Sequence, residues 1–206
     1  MKRTTKMMGA TVIVLAGFLY TPAADPATVF AFRDKAVGAY FTSTDGCFEN
    51  EVYVTAGNEV FRYPPFENSA QSLVDVFIIR IDSCNAAEVI FADGFRQLGA
   101  SDFQVDSRLD TATLNSTVTA FNYATSENIQ IDINLTWTAT SPADSGNSVN
   151  HYERHGCLVT NQRRGTERRA VASGSVSYAG TNLTPSSDPF AWISMVQVGF
   201  VYASCN

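Results

Sequence analysis

The sequence predicts an all-β protein, an antiparallel β-sandwich of jelly-roll or Ig-like type with roughly nine to eleven strands. Three observations carry that expectation. Apolar and polar residues alternate with a period of two, most clearly where Ile129, Ile131, Ile133, Leu135 and Trp137 face Gln130, Asp132, Asn134 and Thr136. That is the pattern of a half-buried strand. Gly, Pro, Asn, Asp and Ser clusters punctuate the chain at short intervals. No stretch of ten or more residues beyond residue 24 keeps a helical apolar stripe.

The N-terminus comes first. Residues 1–24 combine the cations Lys2, Arg3 and Lys6 with an apolar run from Met7 to Tyr20, then Pro22, Ala23 and Ala24. This is the order of a secretory signal peptide, cleaved after Ala23 or Ala24. The run falls short of the ~20 residues that span a hydrocarbon core. The expected product is residues 25–206, a single disulfide-stapled β-sandwich domain. It would be exported, extracytoplasmic at the cell surface or in the periplasm, with no membrane span after cleavage.

Weaker alternation then marks strands at Val37–Phe41, Glu51–Thr55, Glu59–Tyr63, Ala87–Phe91, Phe103–Val105, Thr113–Phe121, Cys157–Asn161 and Ala170–Tyr178. Leu73–Ile81 and Trp192–Val201 are nearly continuous apolar runs, as expected of strands covered on both faces. Turns are predicted at Asp45-Gly46, Gly57-Asn58, Pro64-Pro65, Asp93-Gly94, Ser145-Gly146-Asn147, Gly180-Thr181-Asn182 and Pro185–Asp188.

The chain carries 14 Lys+Arg against 20 Asp+Glu, a net charge of −6. Loss of the leader takes three cations and leaves a charge of −9, with Lys35 as the remaining lysine. An acidic chain of this kind excludes binding to nucleic acid through a broad charge field. At 45% hydrophobic and 17% charged residues it is also too apolar to be mainly disordered.

Four cysteines, Cys47, Cys84, Cys157 and Cys205, read as disulfides in an oxidising compartment, and spacing leaves all three pairings open. An internal order bears on the choice. Phe41-Thr42-Ser43-Thr44, Gly46-Cys47-Phe48 and Ser83-Cys84-Asn85 recur as Trp137-Thr138-Ala139-Thr140, Gly156-Cys157-Leu158 and Ser204-Cys205-Asn206. If the halves are pseudo-repeats, each holds its own bridge, Cys47–Cys84 and Cys157–Cys205, each stabilising by ~3–4 kcal/mol.

Several side-chain groups are candidates for chemistry. His151, Glu153 and His155 share a face if their segment is extended, a donor set suited to zinc or copper. The competing reading is an exposed polar strand. Arg154, Arg163, Arg164, Arg168 and Arg169 cluster around a predicted Arg163–Thr166 hairpin turn, which would hold a small anionic ligand such as a carboxylate, sulfate or phosphate. Asp102, Asp106 and Asp110, with Asp82 and Asn85, offer oxygen ligands for calcium on loops. Phe61, Tyr63 and Phe66 around Pro64-Pro65 would form an aromatic platform for sugar or protein. Asn115, Asn134 and Asn182 open glycosylation-type triplets, read here as β-rich composition. No GxSxG elbow is present and no pair of carboxylates stands out, so no catalytic residue is assigned.

The run Ala112-Thr113-Leu114-Asn115, Thr117-Val118, Ile131–Trp137, Gly156-Cys157, Ala172–Val176 and Asn182-Leu183-Thr184-Pro185 resembles a group of uncharacterised exported bacterial proteins, over residues 36–206. The resemblance implies export and an all-β fold, and it brings no function, cofactor or site residue. The leading expectation is thus an exported binding or structural module whose partner is a protein, a glycan or a small anionic ligand. The alternative is a secreted hydrolase or carbohydrate-active protein with its site on the sandwich face. A flat or convex surface would favour the first, and a concave pocket with converging carboxylates the second.

Overall fold

The computed structural model of the chain describes residues 28–63, 67–154, 156–185 and 190–205. The expected leader, His155 and Phe66 lie outside them. The described residues are strand and turn throughout, with no helix. Eleven strands follow one another: β1 (Thr28–Asp45), β2 (Phe48–Tyr63), β3 (Glu67–Asp82), β4 (Ala87–Gln97), β5 (Phe103–Val105), β6 (Thr111–Asn122), β7 (Glu127–Ala139), β8 (Asp144–Arg154), β9 (Cys157–Tyr178), β10 (Thr181–Leu183) and β11 (Phe190–Cys205). Every pairing is antiparallel.

Fewer turns form than the glycines predict. Asp45-Gly46 does close the β1–β2 hairpin, with Gly46 at a φ of +60°. By contrast, Gly57-Asn58 lies inside β2, Asp93-Gly94 inside β4 and Ser145-Gly146-Asn147 inside β8. The expected Arg163–Thr166 hairpin is likewise the middle of the 22-residue β9. At two of these glycines, Gly94 and Gly165, the reason is close backbone approach. A Cβ at Gly94 would stand 2.7 Å from Ala120 of β6, and one at Gly165 would stand 2.9 Å from the Met195 carbonyl of β11. Glycine at these positions admits a neighbouring strand rather than reversing the chain.

The ladder runs β9–β11–β1–β2–β3–β4–β6, and β7 joins β6 back to β9. This circuit is joined between β4 and β6 by only two residue pairs, Ala92–Asn122 and Asp93–Phe121, so the sheet is not a clear barrel. β7 and β8 follow each other along one edge of β9, and β10 and β11 along the other.

One face of the sheet encloses the core. It buries Val37, Ala39 and Phe41 of β1, Val52, Val54 and Ala56 of β2, and Val74, Val76 and Ile78 of β3. Against them lie Leu114 and Val118 of β6, Ile131, Ile133, Leu135 and Trp137 of β7, and Val176 and Tyr178 of β9. Polar ties cross the interior between strands that share no ladder. Trp137 donates its indole N–H to the Gly38 carbonyl at 2.9 Å. The Tyr178 hydroxyl donates to Asn50 Oδ1 at 2.9 Å, and Lys35 Nζ to the Val105 carbonyl at 3.1 Å. Buried donors and acceptors of this kind are paired because desolvating them unpaired costs ~1–3 kcal/mol each.

β3 and β11 show why apolar runs appear on both faces. In β3, Val74, Val76 and Ile78 are fully buried in the core, while Leu73, Phe77 and Ile79 are half-buried on the opposite face.

The two ends of the chain share a plan. Cys47 precedes β2 and is bridged to Cys84 beyond β3, with Cα atoms 5.4 Å apart. Cys157 opens β9, is disulfide-bonded, and stands opposite Cys205 in the β9–β11 register. Two residues connect β1 to β2, and two connect β8 to β9. The Cys47–Cys84 bridge lies within the first half of the chain, and it is the pairing expected there from the sequence.

Candidate functional site

On the face opposite the core, a cleft of about 1430 Å³ opens over β1, β2, β3, β9 and β11. The loop after β7 and the start of β8 form one wall. Strand register builds its floor. Gly146, Gly165, Val196, Asp34, Glu59 and Gln71 stand opposite one another in a single row across β8, β9, β11, β1, β2 and β3. A second row runs Arg169, Trp192, Gly38, Thr55, Asp75 and Phe95. Directly opposed residues share a face, so both rows present side chains to the cleft.

Three carboxylates of the floor strands line the cleft, Asp34 and Glu59 in the first row and Asp75 in the second. Burial pushes Asp34 above the ordinary carboxylate range, while the Val196 N–H at 2.9 Å and the nearby Arg163 guanidinium act the other way. Glu59 is also pushed up by burial and further by the charge of Asp34; a 3.3 Å hydrogen bond from Gln71 partly offsets this. Asp75 is raised by burial and by Asp93. Arg163 itself lines the cleft, and its Nε is buried without a hydrogen-bond partner among the described residues. Desolvated carboxylates beside a guanidinium in a cleft make this surface the candidate site.

Trp192 gives the cleft an aromatic floor. A Cβ at Gly38 would fall 2.5 Å from its Cε2 and Nε1 atoms, so the indole lies directly over the Gly38 backbone. Gly38 thus carries one tryptophan on each face: Trp192 rests on it in the cleft, and Trp137 donates to its carbonyl from the core.

The arginines predicted to cluster are divided by strand alternation. Arg163 and Arg169 line the cleft. Arg164 and Arg168 fall on the alternate face, where Arg168 pairs with Asp110 and donates from Nε to the Ser141 carbonyl at 2.8 Å. Arg154 ends β8, far along the strand from the cleft row at Gly146. His151 and Glu153 are exposed on β8, and His151 Nδ1 pairs with Thr160 Oγ1 at 2.9 Å. Among the described residues the one group with metal-ligand proximity is Cys47, Asp82 and Cys84, and its two sulfurs are joined in the disulfide.

The aspartates considered for calcium serve their own loops. Asp102 accepts from the Gly99 N–H at 3.0 Å and pairs with Arg96. Asp106 accepts from the Arg108 and Thr111 N–H groups, which outweigh burial and hold its carboxyl below the ordinary range. Asp82 accepts from Asn85 and Cys84. The Phe61–Phe66 platform lies outside the residues whose side chains are described.

Sequence reasoning missed Asp34, Glu59, Asp75, Gly38 and Trp192. One signal was available: Asp75 is the acid inside Leu73–Ile81, a run whose apolar residues on both faces predict a strand covered on both sides.

No family model matches the chain, and no curated protein does. Two solved structures are similar to it at a low level. A protein described as an AttH, from Nitrosomonas europaea, is 9% identical with a TM-score of 0.29, over 87% of this chain and 52% of that one. An acetoacetate decarboxylase-like enzyme from Sphingomonas wittichii RW1 is 8% identical with a TM-score of 0.27, over 92% and 96%. The chain spans about half the length of the first. Likenesses at this level carry no argument about function. No helix among the described residues is long and apolar enough to cross a membrane, and the disulfide is compatible with an extracytoplasmic location.

Proposed function

We propose that the chain is an exported β-sandwich module that binds a neutral, hydroxyl-rich ligand of saccharide type in the cleft. The observation that carries this reading is the indole of Trp192, seated over Gly38 in the cleft floor beside Arg169 and on the same face as the row that holds Asp34 and Glu59. A sugar ring offers what each of these groups needs. Its apolar C–H face covers an indole, its hydroxyl protons go to carboxylate oxygens, and its oxygens accept from guanidinium N–H groups.

The charge of the walls narrows the ligand further. Asp34, Glu59, Asp75, Asp144 and Glu167 oppose Arg163 and Arg169, which disfavours the small anion considered from sequence. The ties across the interior from Trp137, Tyr178 and Lys35 support two packed layers. Since the strands follow one another as a meander, the sandwich is proposed without a jelly-roll or Ig-like subtype. Export rests on the leader pattern and the paired cysteines.

The test is a titration of intrinsic fluorescence with neutral oligosaccharides. Trp137 is fully buried, so a change on binding reports Trp192. A saccharide that binds the wild-type protein and loses at least about tenfold in affinity in Trp192→Ala is the expected outcome. Absence of binding across gluco-, manno-, galacto-, xylo- and N-acetylhexosamine oligomers refutes the reading.

A further inference from the structure

We infer that the free edge of β8 is the surface on which two copies of the chain pair, antiparallel and centred on Val149. β8 is bonded to β9 along one edge, and among the described residues no strand pairs with the other. It runs for 11 residues, and every side chain from Asp144 to Glu153 is exposed. Folded proteins protect such edges with short strands, charges or proline. The two ends of the main ladder follow that rule, since β5 and β10 have three residues each. β8 does not. Residues 145–152 include no Lys, Arg, Asp, Glu or Pro, and they leave Val149 and Tyr152 exposed.

The backbone decides which residues can bond outward. Two residues connect β8 to β9, and the residues flanking a two-residue hairpin loop form a hydrogen-bonded pair, here Arg154 and Cys157. Alternation then turns the N–H and C=O of the even-numbered residues toward β9. Those of Ser145, Asn147, Val149, His151 and Glu153 point to the free edge. Two contacts agree with that assignment. Ser145 Oγ meets Thr166 Oγ1, and His151 Nδ1 meets Thr160 Oγ1, each at 2.9 Å. Side chains stand closest at pairs that are not hydrogen-bonded, which these are. Self-pairing about a two-fold axis at Val149 joins outward residues to outward residues: Val149 to itself, Asn147 to His151 and Ser145 to Glu153.

The even-numbered residues match in the same register. Asp144 falls opposite the partner's Arg154. Within its own chain Asp144 stands opposite Glu167, a like-charge pairing that an arginine on the other side offsets. Gly146 falls opposite the partner's Tyr152. A Cβ on Gly146 would meet nothing within 4 Å and its φ is ordinary, so its own chain gives no reason for a residue that weakens a strand. A tyrosine ring reaching across from the partner fills that open space. Moving the centre to Asn147 or His151 loses both matches. Opposed residues share a face, so the two clefts open on the same side of one continuous sheet. The partner's Tyr152 then stands at the rim that Gly146 lines.

The experiment is sedimentation of the mature chain, disulfides intact, from micromolar to millimolar concentration. A concentration-dependent dimer is expected. Val149→Pro removes an outward N–H and leaves the β8–β9 ladder whole, so it should give a monomer with an unchanged circular dichroism spectrum. Asp144→Arg sets arginine against arginine at both ends of the seam and should weaken dimerisation by about tenfold. Arg154→Asp sets acid against acid with the same effect, and the double variant should restore the dimer. These charge variants decide the matter if Val149→Pro does not fold. A monomer at every concentration overturns the inference. So does a dimer indifferent to Val149→Pro and to the single reversals, or reversals that the double variant fails to rescue. None of these outcomes depends on saccharide binding.

Discussion

Gly38→Ala tests whether Trp192 is held by the backbone beneath it. The new Cβ would stand 2.5 Å from two indole atoms and 2.8 Å from a third. Ordinary contact begins at 3.4 Å, so the ring must move by about 1 Å or turn out of the cleft. Overpacking of this kind costs ~1–3 kcal/mol. Against it stands the conformational gain from removing a glycine whose φ is ordinary, ~0.4–1 kcal/mol. The net expectation is a loss of about 0.5–2 kcal/mol, which for a chain of this size lowers Tm by about 1–8 °C.

The sign should reverse when the indole is absent. In a Trp192→Ala background the same Gly38→Ala change has nothing to strike and stabilises by up to ~1 kcal/mol. A double-mutant cycle on thermal unfolding, followed by circular dichroism, therefore yields a coupling of about 1–3 kcal/mol. The single variant should also red-shift the fluorescence as Trp192 is displaced toward water, and it should weaken saccharide binding. An equal effect of Gly38→Ala in the two backgrounds would refute the placement of Trp192.

Two further outcomes follow from the core and the cleft. Trp137→Phe removes a hydrogen bond and part of a fully buried ring and should cost roughly 2–3 kcal/mol, measured as a shift in the denaturation midpoint with unchanged m. Asp75→Asn should stabilise the protein at neutral pH and flatten the pH dependence of Tm. Asp34, Glu59 and Asp75 have folded pKa values above their unfolded ones. Their contribution is therefore most favourable below the unfolded carboxylate range, and it is lost as pH rises through the folded values. Acidifying the wild-type protein from neutral toward the ordinary carboxylate range should raise Tm, and a fall on that approach would contradict the burial of these groups.

Strand identity was legible because alternation is a local property. Ile131 to Trp137 point inward at every second residue in the sequence and in the structure alike. Strand length was less legible. Gly57, Gly94, Gly146 and Gly165 carry turn chemistry locally, yet each sits inside a strand, and at Gly94 and Gly165 the requirement is set by a distant partner, Ala120 or Met195. A glycine chosen for close approach and a glycine chosen for a turn look the same in one dimension.

The arginines show the same limit from the other direction. Five guanidinium groups close in sequence predicted one charged edge, but alternation sends Arg163 and Arg169 to the cleft and Arg168 to Asp110. The carboxylates of the cleft come from three strands, at positions 34, 59 and 75, and no spacing rule connects them.

What the sequence determined by itself was the class of protein: β rather than α, acidic, with an even set of four cysteines, and without a local catalytic motif. Those properties depend on residue type and short-range periodicity. Only the tertiary structure decided which side chains meet. Antiparallel register places Asp34 against Glu59 and Gly38 beneath Trp192, and register is fixed by the packing of a whole buried face rather than by the residues that share the site.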